Sequence, residues 1–227
     1  MIELLRQVPL FSELDEQELA SIATLASSID VRKKTMVVQE YEMGNSMYII
    51  LDGEVKVSTY SVDGREVVLA LLGSGAFFGE MSLLDAQPRS ANVTTMTDCT
   101  LANIRRQDLL PLLLEQPSIS LKLLTEVAVR LRKTSRMLER ISSMDVPHRL
   151  YAYMVDYCHR FGRKGVDGRY STLMPTHQLL ADQLSTSRET ISRTISQMKK
   201  DSIILQAEAR GKMRVDVTAL ENMLDEL

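Results

Sequence analysis

Two short stretches of this 227-residue chain concentrate side chains able to recognise charge. In "GEMSLLDAQPRSA", residues 79–91, a turn led by Gly79 offers main-chain N–H groups. Glu80 can accept from a ribose hydroxyl, and Arg89 with Ser90 can neutralise and hydrogen-bond a phosphate. That set suits a phosphodiester ligand; the same residues also allow a plain Glu80–Arg89 pair that ties a loop together. In "SRETISR", residues 187–193, two arginines, a glutamate and three hydroxyls fall within seven positions. Arginine can donate two hydrogen bonds to guanine and glutamate can accept from cytosine. Arg188, Glu189, Ser192 and Arg193 are therefore candidates for reading bases in a major groove, and Ser187 and Thr190 for holding phosphates. The competing reading is a capping box over Thr186-Ser187-Arg188-Glu189, with Glu189 satisfying a helix start.

The elements around "SRETISR" favour a reading surface. Thr176 can cap a helix through "HQLLADQLS", "STS" makes a short turn, and a second helix runs from Arg188 to about Lys200. Two helices joined by a tight turn are a helix-turn-helix. On the second, Ile191, Ile195 and Met198 share one side, while Arg188, Glu189, Ser192, Arg193 and Ser196 sweep about 140° of the other. The tail "ARGKMRVDV" predicts a short β-hairpin with Gly211 at its turn.

The phosphodiester candidate sits in a different kind of sequence. From residue 35, β-rich runs such as "MYIIL", "EVKVSTY" and "EVVLALL" alternate with Asp52-Gly53, Asp63-Gly64 and Gly73-Ser74-Gly75, the layout of an all-β roll that continues through "ANVTTMTDCTLANI". Arg32-Lys33-Lys34 fits a solvated loop or strand edge. Ahead of the roll, Ser12 with Asp15 predicts a capped helix carrying Leu19, Ile22, Ala23 and Ala26. After Pro117, Leu124, Val127, Leu131, Thr134, Leu138 and Ile141 alternate in steps of three and four, a seam that calls for a second helix. Thr134 is a polar residue on this apolar seam, there to set register or to meet a ligand. Asp145 and Pro147 mark a break. The expected domains are 1–117 for the roll with its leading helix, 118–145 for the dimerisation helix and 146–227 for the helical C-terminal domain.

Composition narrows the partners. The net charge is −3, but residues 1–147 hold 15 Lys/Arg against 20 Asp/Glu, whereas 148–227 hold 12 against 10. The C-terminal part permits a local basic face. No run approaches about 18 apolar residues, and the N-terminus lacks a signal layout, so a cytoplasmic location is expected. Cys99 and Cys158 stand apart, all three histidines follow residue 147, and a metal cluster is not expected. The two cysteines fit core positions.

Together these motifs resemble the catabolite-activator/fumarate-nitrate-reductase (CRP/FNR) superfamily of bacterial transcription factors. "TSRETISRTISQM" is similar to its recognition helix and "FGEMSLLDAQPRSANV" to its phosphate-binding cassette, in the family's order of roll, long helix and winged helix-turn-helix. The resemblance, greatest to the catabolite-activator (cyclic AMP receptor protein) branch, implies an α+β fold with a jelly-roll-type cyclic-nucleotide-binding β-roll. It also implies a homodimer that binds double-stranded DNA, with RNA polymerase as a further partner. Arg188, Glu189 and Arg193 match that branch's base readers and imply a TGTGA-like half-site, while Ser192 resembles the fumarate-nitrate branch. Thr176 and Gln178 match phosphate-contact positions, with Lys212 on the wing as another candidate. Thr134-Ser135 matches the pair that contacts adenine from both subunits, which favours cyclic AMP as effector. Two positions depart from that branch: eight residues separate Glu80 from Arg89, one fewer than in the enterobacterial activator, and Ala70 replaces a serine. A regulator that responds to cyclic di-GMP, or to no effector, is the alternative. An iron–sulfur sensor would need an N-terminal cysteine cluster, and the first 98 residues contain no cysteine; a haem sensor using histidine in the roll finds no histidine there. No nucleophile–base pair, metal spacing or phosphate-binding Walker loop points to an enzyme, and no cofactor is expected.

Overall fold

The computed structural model describes residues 2–12, 14–206 and 212–225, in two compact units, 1–132 and 133–227. The first unit opens with α1 (Ile2–Arg6), a 3₁₀ turn (Pro9–Phe11) and α2 (Glu16–Leu25). The cap of α2 is Asp15, not the expected Ser12: Asp15 Oδ1 accepts from Glu18 N and Glu18 Oε2 from Asp15 N, both at 2.8 Å. Ser12 instead closes the 3₁₀ turn started by Pro9, donating its hydroxyl to the Pro9 carbonyl. A carboxylate followed by Glu three residues on completes the reciprocal box, and the helix starts where that box closes.

Eight strands follow: β1 (Ser27–Val31), β2 (Met36–Val38), β3 (Ser46–Asp52), β4 (Glu54–Tyr60), β5 (Glu66–Gly73), β6 (Phe77–Phe78), β7 (Asn92–Thr95) and β8 (Cys99–Arg105), with α3 (Met81–Leu84) between β6 and β7. They form two four-stranded antiparallel sheets, ordered β1-β8-β3-β6 and β2-β7-β4-β5. The period-2 pattern buries both faces of β3 and β8. Ile50 and Leu101 meet Val38, Val55, Phe78, Val93 and Cys99 from both sheets, while Met47, Ile49, Ala102 and Ile104 pack beneath the helices. Beyond β8 come α4 (Arg106–Glu115), a helix the sequence reading left out, and α5 (Pro117–Ser143). Leu109, Leu112, Ile119 and Leu123 anchor both helices in the core beneath the first sheet. Farther along α5 the seam leucines are bare in the single chain, with Leu124, Leu131 and Leu138 exposed by 64%, 65% and 68%.

Residues 133–143 of α5 belong to the second unit. There Asp145 caps α6 (Val146–Phe161), accepting from His148 N with Pro147 in the first turn. After α6 come β9 (Arg163–Lys164), β10 (Tyr170–Leu173), α7 (His177–Gln183), α8 (Arg188–Lys200), β11 (Ile204–Gln206), β12 (Lys212–Val215) and α9 (Val217–Asp225), with sheet order β11-β12-β10-β9. Leu150, Met154, Leu180, Ile191, Ile195, Met198, Val215 and Leu220 join α6, α7, α8, α9 and the sheet in one core. β11 and β12 pair antiparallel as the predicted hairpin requires, while its turn at Gly211 lies outside the described residues. Cys99 and Cys158 are buried free thiols, and burial pushes Cys158 up to about 11, which suits a core residue better than a nucleophile. Among the described residues, no helix is long and apolar enough to cross a membrane and no three His, Cys, Asp or Glu are grouped to hold a metal ion.

Candidate ligand cassette and nucleic-acid interface

The cassette runs from the end of β6 through α3 to β7. Gly79 has φ +82°, and a Cβ there would lie 2.6 Å from Arg89 Nη1, so the turn needs glycine both for its backbone and for its closeness to the guanidinium. Arg89 is only 8% exposed. Its Nη1 donates to the Gly79 carbonyl (2.5 Å) and Ser82 Oγ (2.8 Å), and its Nη2 to the Ser46 carbonyl (2.6 Å). Burial lowers the Arg89 pKa, while Tyr48 and Glu80 act to raise it. The loop after β2 holds the arginine from the other side: Tyr41 N donates to the Arg89 carbonyl, Arg89 N donates to the Glu42 carbonyl, and a Cβ on Gly44 would fall 2.1 Å from Arg89 Nε.

Glu80, 3% exposed, takes a partner the sequence reading did not offer. Arg130 on α5 places Nη1 3.0 Å from Glu80 Oε1, donates Nη2 to the Phe77 carbonyl (2.6 Å), and rests 4.3 Å from the Phe77 ring centroid. The simple Glu80–Arg89 tie therefore does not form, because Arg89 spends its donors on carbonyl and hydroxyl oxygens. Burial pushes the Glu80 carboxyl above its ordinary range, against the opposing pull of Arg130, its own main-chain hydrogen bond and Arg89. Ser90 is exposed, its hydroxyl 3.7 Å from the Met81 sulfur. Thr134 and Ser135 are exposed positions of α5 in the second unit. Arg130 was missed because charge next to a coiled-coil seam reads as solvated; its one visible signal is its place beside Leu131 on that seam.

In the second unit, Thr176 caps α7 by accepting from Leu179 N at 3.2 Å. Ser187 caps α8, accepting from Thr190 N at 3.1 Å, with its hydroxyl 3.0 Å from Thr190 Oγ1. The capping box over Thr186 and Glu189 is thus absent: with Ser187 as cap, Glu189 is the second helical residue and cannot reach back as a third-position glutamate does. The Thr176 hydroxyl accepts from the helix start and keeps its own O–H to donate, whereas the Ser187 and Thr190 hydroxyls share a hydrogen bond in which either can be the donor. Gln178 Nε2 donates to Asp182 Oδ1 at 2.7 Å, and Lys212 is exposed at the start of β12.

Arg188, Glu189, Ser192, Arg193 and Ser196 line one concave face of about 430 Å³. Ile191, Thr194, Ile195 and Met198 are buried behind them. Among the described residues, the side chains of Arg188, Glu189 and Arg193 enter no hydrogen bond or ion pair. His177 shares this face and was absent from the sequence candidates. Its signal lay in the spacing: His177 stands three and four residues before Leu180 and Ala181, at the end of the stripe that packs inward.

Residues 28–116 match the cyclic nucleotide-binding domain, and residues 148–223 match the Crp-like helix-turn-helix domain. The CRP-like cAMP-activated global transcriptional regulator of Mycobacterium tuberculosis is 30% identical over 196 residues, covering 86% of this chain and 88% of the relative. This chain belongs to the CRP/FNR superfamily. Among solved structures, the c-di-GMP-responsive global regulator CLP of Xanthomonas campestris aligns with a TM-score of 0.75 at 25% identity, covering 88% of this chain and 98% of that one. The catabolite activator protein of Thermus thermophilus aligns with a TM-score of 0.55 at 26% identity, covering 96% and 99%. This CRP/FNR protein is a CRP-like transcription regulator with a cyclic nucleotide-binding domain and a DNA-binding helix-turn-helix.

Proposed function

We propose that this regulator is a cytoplasmic homodimer, that cyclic AMP bound at Gly79, Glu80, Arg89 and Ser90 with Thr134 and Ser135 controls it, and that it binds a TGTGA-like palindrome. The observation that carries the DNA assignment is the groove in which Arg188, Glu189 and Arg193 stand without intramolecular partners. A guanidinium and a carboxylate held this way on a helix face are free to pair with guanine and cytosine edges. Ser192 adds a hydroxyl among them, and Thr176, Gln178, Ser187, Thr190 and Lys212 serve the flanking phosphates.

Dimerisation through the α5 seam covers Leu124, Leu131 and Leu138 and brings two reading helices to successive major grooves about 34 Å apart. The nucleotide acts by favouring the dimer state in which both helices fit the groove at once. RNA polymerase is the partner through which such binding alters transcription; the chain works by binding, not catalysis.

A second reading keeps DNA binding and replaces the effector by cyclic di-GMP or by none. It is supported by the likeness to the Xanthomonas regulator and by an Arg89 whose donors are already occupied by protein oxygens. The experiment is binding to a TGTGA-N6-TCACA duplex at fixed salt with cyclic AMP, cyclic GMP, cyclic di-GMP or no nucleotide. Stimulation by cyclic AMP alone supports the first reading. Tight binding that no nucleotide changes makes the roll a scaffold.

A further inference from the structure

His177 is the first residue of α7, and its side chain lines the concave face built by Arg188, Glu189, Ser192, Arg193 and Ser196 of α8. Among the described residues its ring enters no hydrogen bond, ion pair or aromatic contact. The other two histidines are engaged: His148 Nδ1 lies 2.6 Å from Asp145, and His159 lies 4.0 Å from Glu221 with its ring against Tyr170. The charged groups facing His177 in the groove are Arg188, Glu189 and Arg193, and the nearest acid of its own helix, Asp182, already accepts from Gln178.

We propose that His177 is a DNA-contacting residue that couples duplex binding to the uptake of a proton. This rests on the assignment of α8 as the DNA reader. The neutral imidazole brings one N–H donor to the groove, whereas the protonated ring brings two donors and a positive charge. In the complex the arginines face base and phosphate oxygens, and the polyanion itself favours the imidazolium. Binding therefore draws a proton onto His177, and affinity rises as pH falls. One linked proton limits the effect to about tenfold per pH unit for each chain engaged.

The test uses the full chain and a labelled TGTGA-N6-TCACA duplex at fixed salt, read by fluorescence anisotropy from pH 6 to pH 8. Measurements are made without nucleotide and with cyclic AMP, cyclic GMP and cyclic di-GMP in turn. The unmodified protein is expected to weaken by about threefold or more across this range. H177Q loses most of that dependence, while H177K, which keeps a charge throughout, binds at pH 8 as the unmodified protein does at pH 6. A pH dependence in H177Q equal to that of the unmodified protein overturns the inference and leaves the DNA assignment standing. Absence of duplex binding by the unmodified protein at every pH and with every nucleotide overturns both.

Discussion

Arg130 Nη1 lies 3.0 Å from Glu80 Oε1, and this ion pair fastens the long helix to the glycine-led turn of the cassette. Glu80 has 4% of its side chain exposed and Arg130 has 31%, so the anion is the desolvated member of the pair. Removing the cation leaves a carboxylate with little access to water. Arg130→Met is expected to cost about 3 kcal/mol of stability, the low end for breaking a buried pair because the cation is partly wet. Arg130→Met in a Glu80→Gln background should cost much less. Urea denaturation of the two single variants and the double variant measures this coupling, and equal costs of Arg130→Met in both backgrounds would refute it.

Glu80 also gives the fold a pH signature. Its folded-state pKa is raised above the ordinary 4.5, chiefly by burial, so the folded chain holds a proton that the unfolded chain has released. The contribution to stability is fully present below about pH 4.5 and is lost as pH rises through the raised folded value. Subtracting the stability of Glu80→Gln from that of the unmodified protein between pH 4 and pH 7 should leave a term that declines with pH. A difference that stays flat or rises would contradict the burial argument.

Arg89 is both a ligand candidate and a structural clamp. Arg89→Leu removes three hydrogen bonds and leaves the carbonyls of Gly79 and Ser46 facing a hydrocarbon. The variant is expected to lose its response to nucleotide and also about 2 kcal/mol of stability. Gly44→Ala separates the two roles, since its methyl intrudes on Arg89 Nε without deleting a donor. It should weaken nucleotide binding while removing less stability than Arg89→Leu. Calorimetric titration with nucleotide beside thermal melts decides the matter; unaltered affinity in Gly44→Ala would show that the guanidinium is not held in place by this loop.

How much of this was legible in the sequence depended on whether the interaction was local. The change from period 2 to steps of three and four located the roll and the long seam, and the helix from Arg188 to Lys200 begins and ends where the hydroxyl cap and the apolar spacing placed it. Caps were readable as a class but not individually. Ser12 and Asp15, like Thr186 and Ser187, are each acceptable, and the choice depends on where Pro9 or the turn at Ser185 leaves the backbone. The Glu80–Arg130 pair spans 50 residues, and no local period reports it. His177 was hidden for the opposite reason, because it belongs to an inward stripe whose far end happens to open onto the groove.

Tyr41 has φ +69°, a left-handed conformation that a bulky side chain adopts only under constraint, and its side chain is spread on the surface, with the residue 81% exposed. Its backbone is held in place by the hydrogen bond from Tyr41 N to the Arg89 carbonyl, which glycine can also make. Tyr41→Gly is therefore expected to stabilise the roll by about 1 kcal/mol, the left-handed penalty outweighing the added freedom of glycine in the unfolded chain. A fall in melting temperature would mean that the exposed ring contributes packing that outweighs the backbone strain.

The seam on α5 makes the last prediction. Leu124, Leu131 and Leu138 recur every seven residues and stay about two-thirds exposed in the single chain, although Ile119 and Leu123 of the same helix are buried in the core of the roll. A helix whose inner face is already satisfied gains nothing intramolecular from a second leucine stripe, whereas two such stripes packed together bury it at every heptad. Leu131→Asp places a like charge on each side of the dimer axis, with little to lose inside one chain. The expected result in sedimentation is a dimer for the unmodified protein and a folded monomer for the variant, with duplex affinity reduced at least tenfold as the second half-site is lost. A dimeric Leu131→Asp protein would place the interface elsewhere and leave the exposed leucines without this explanation.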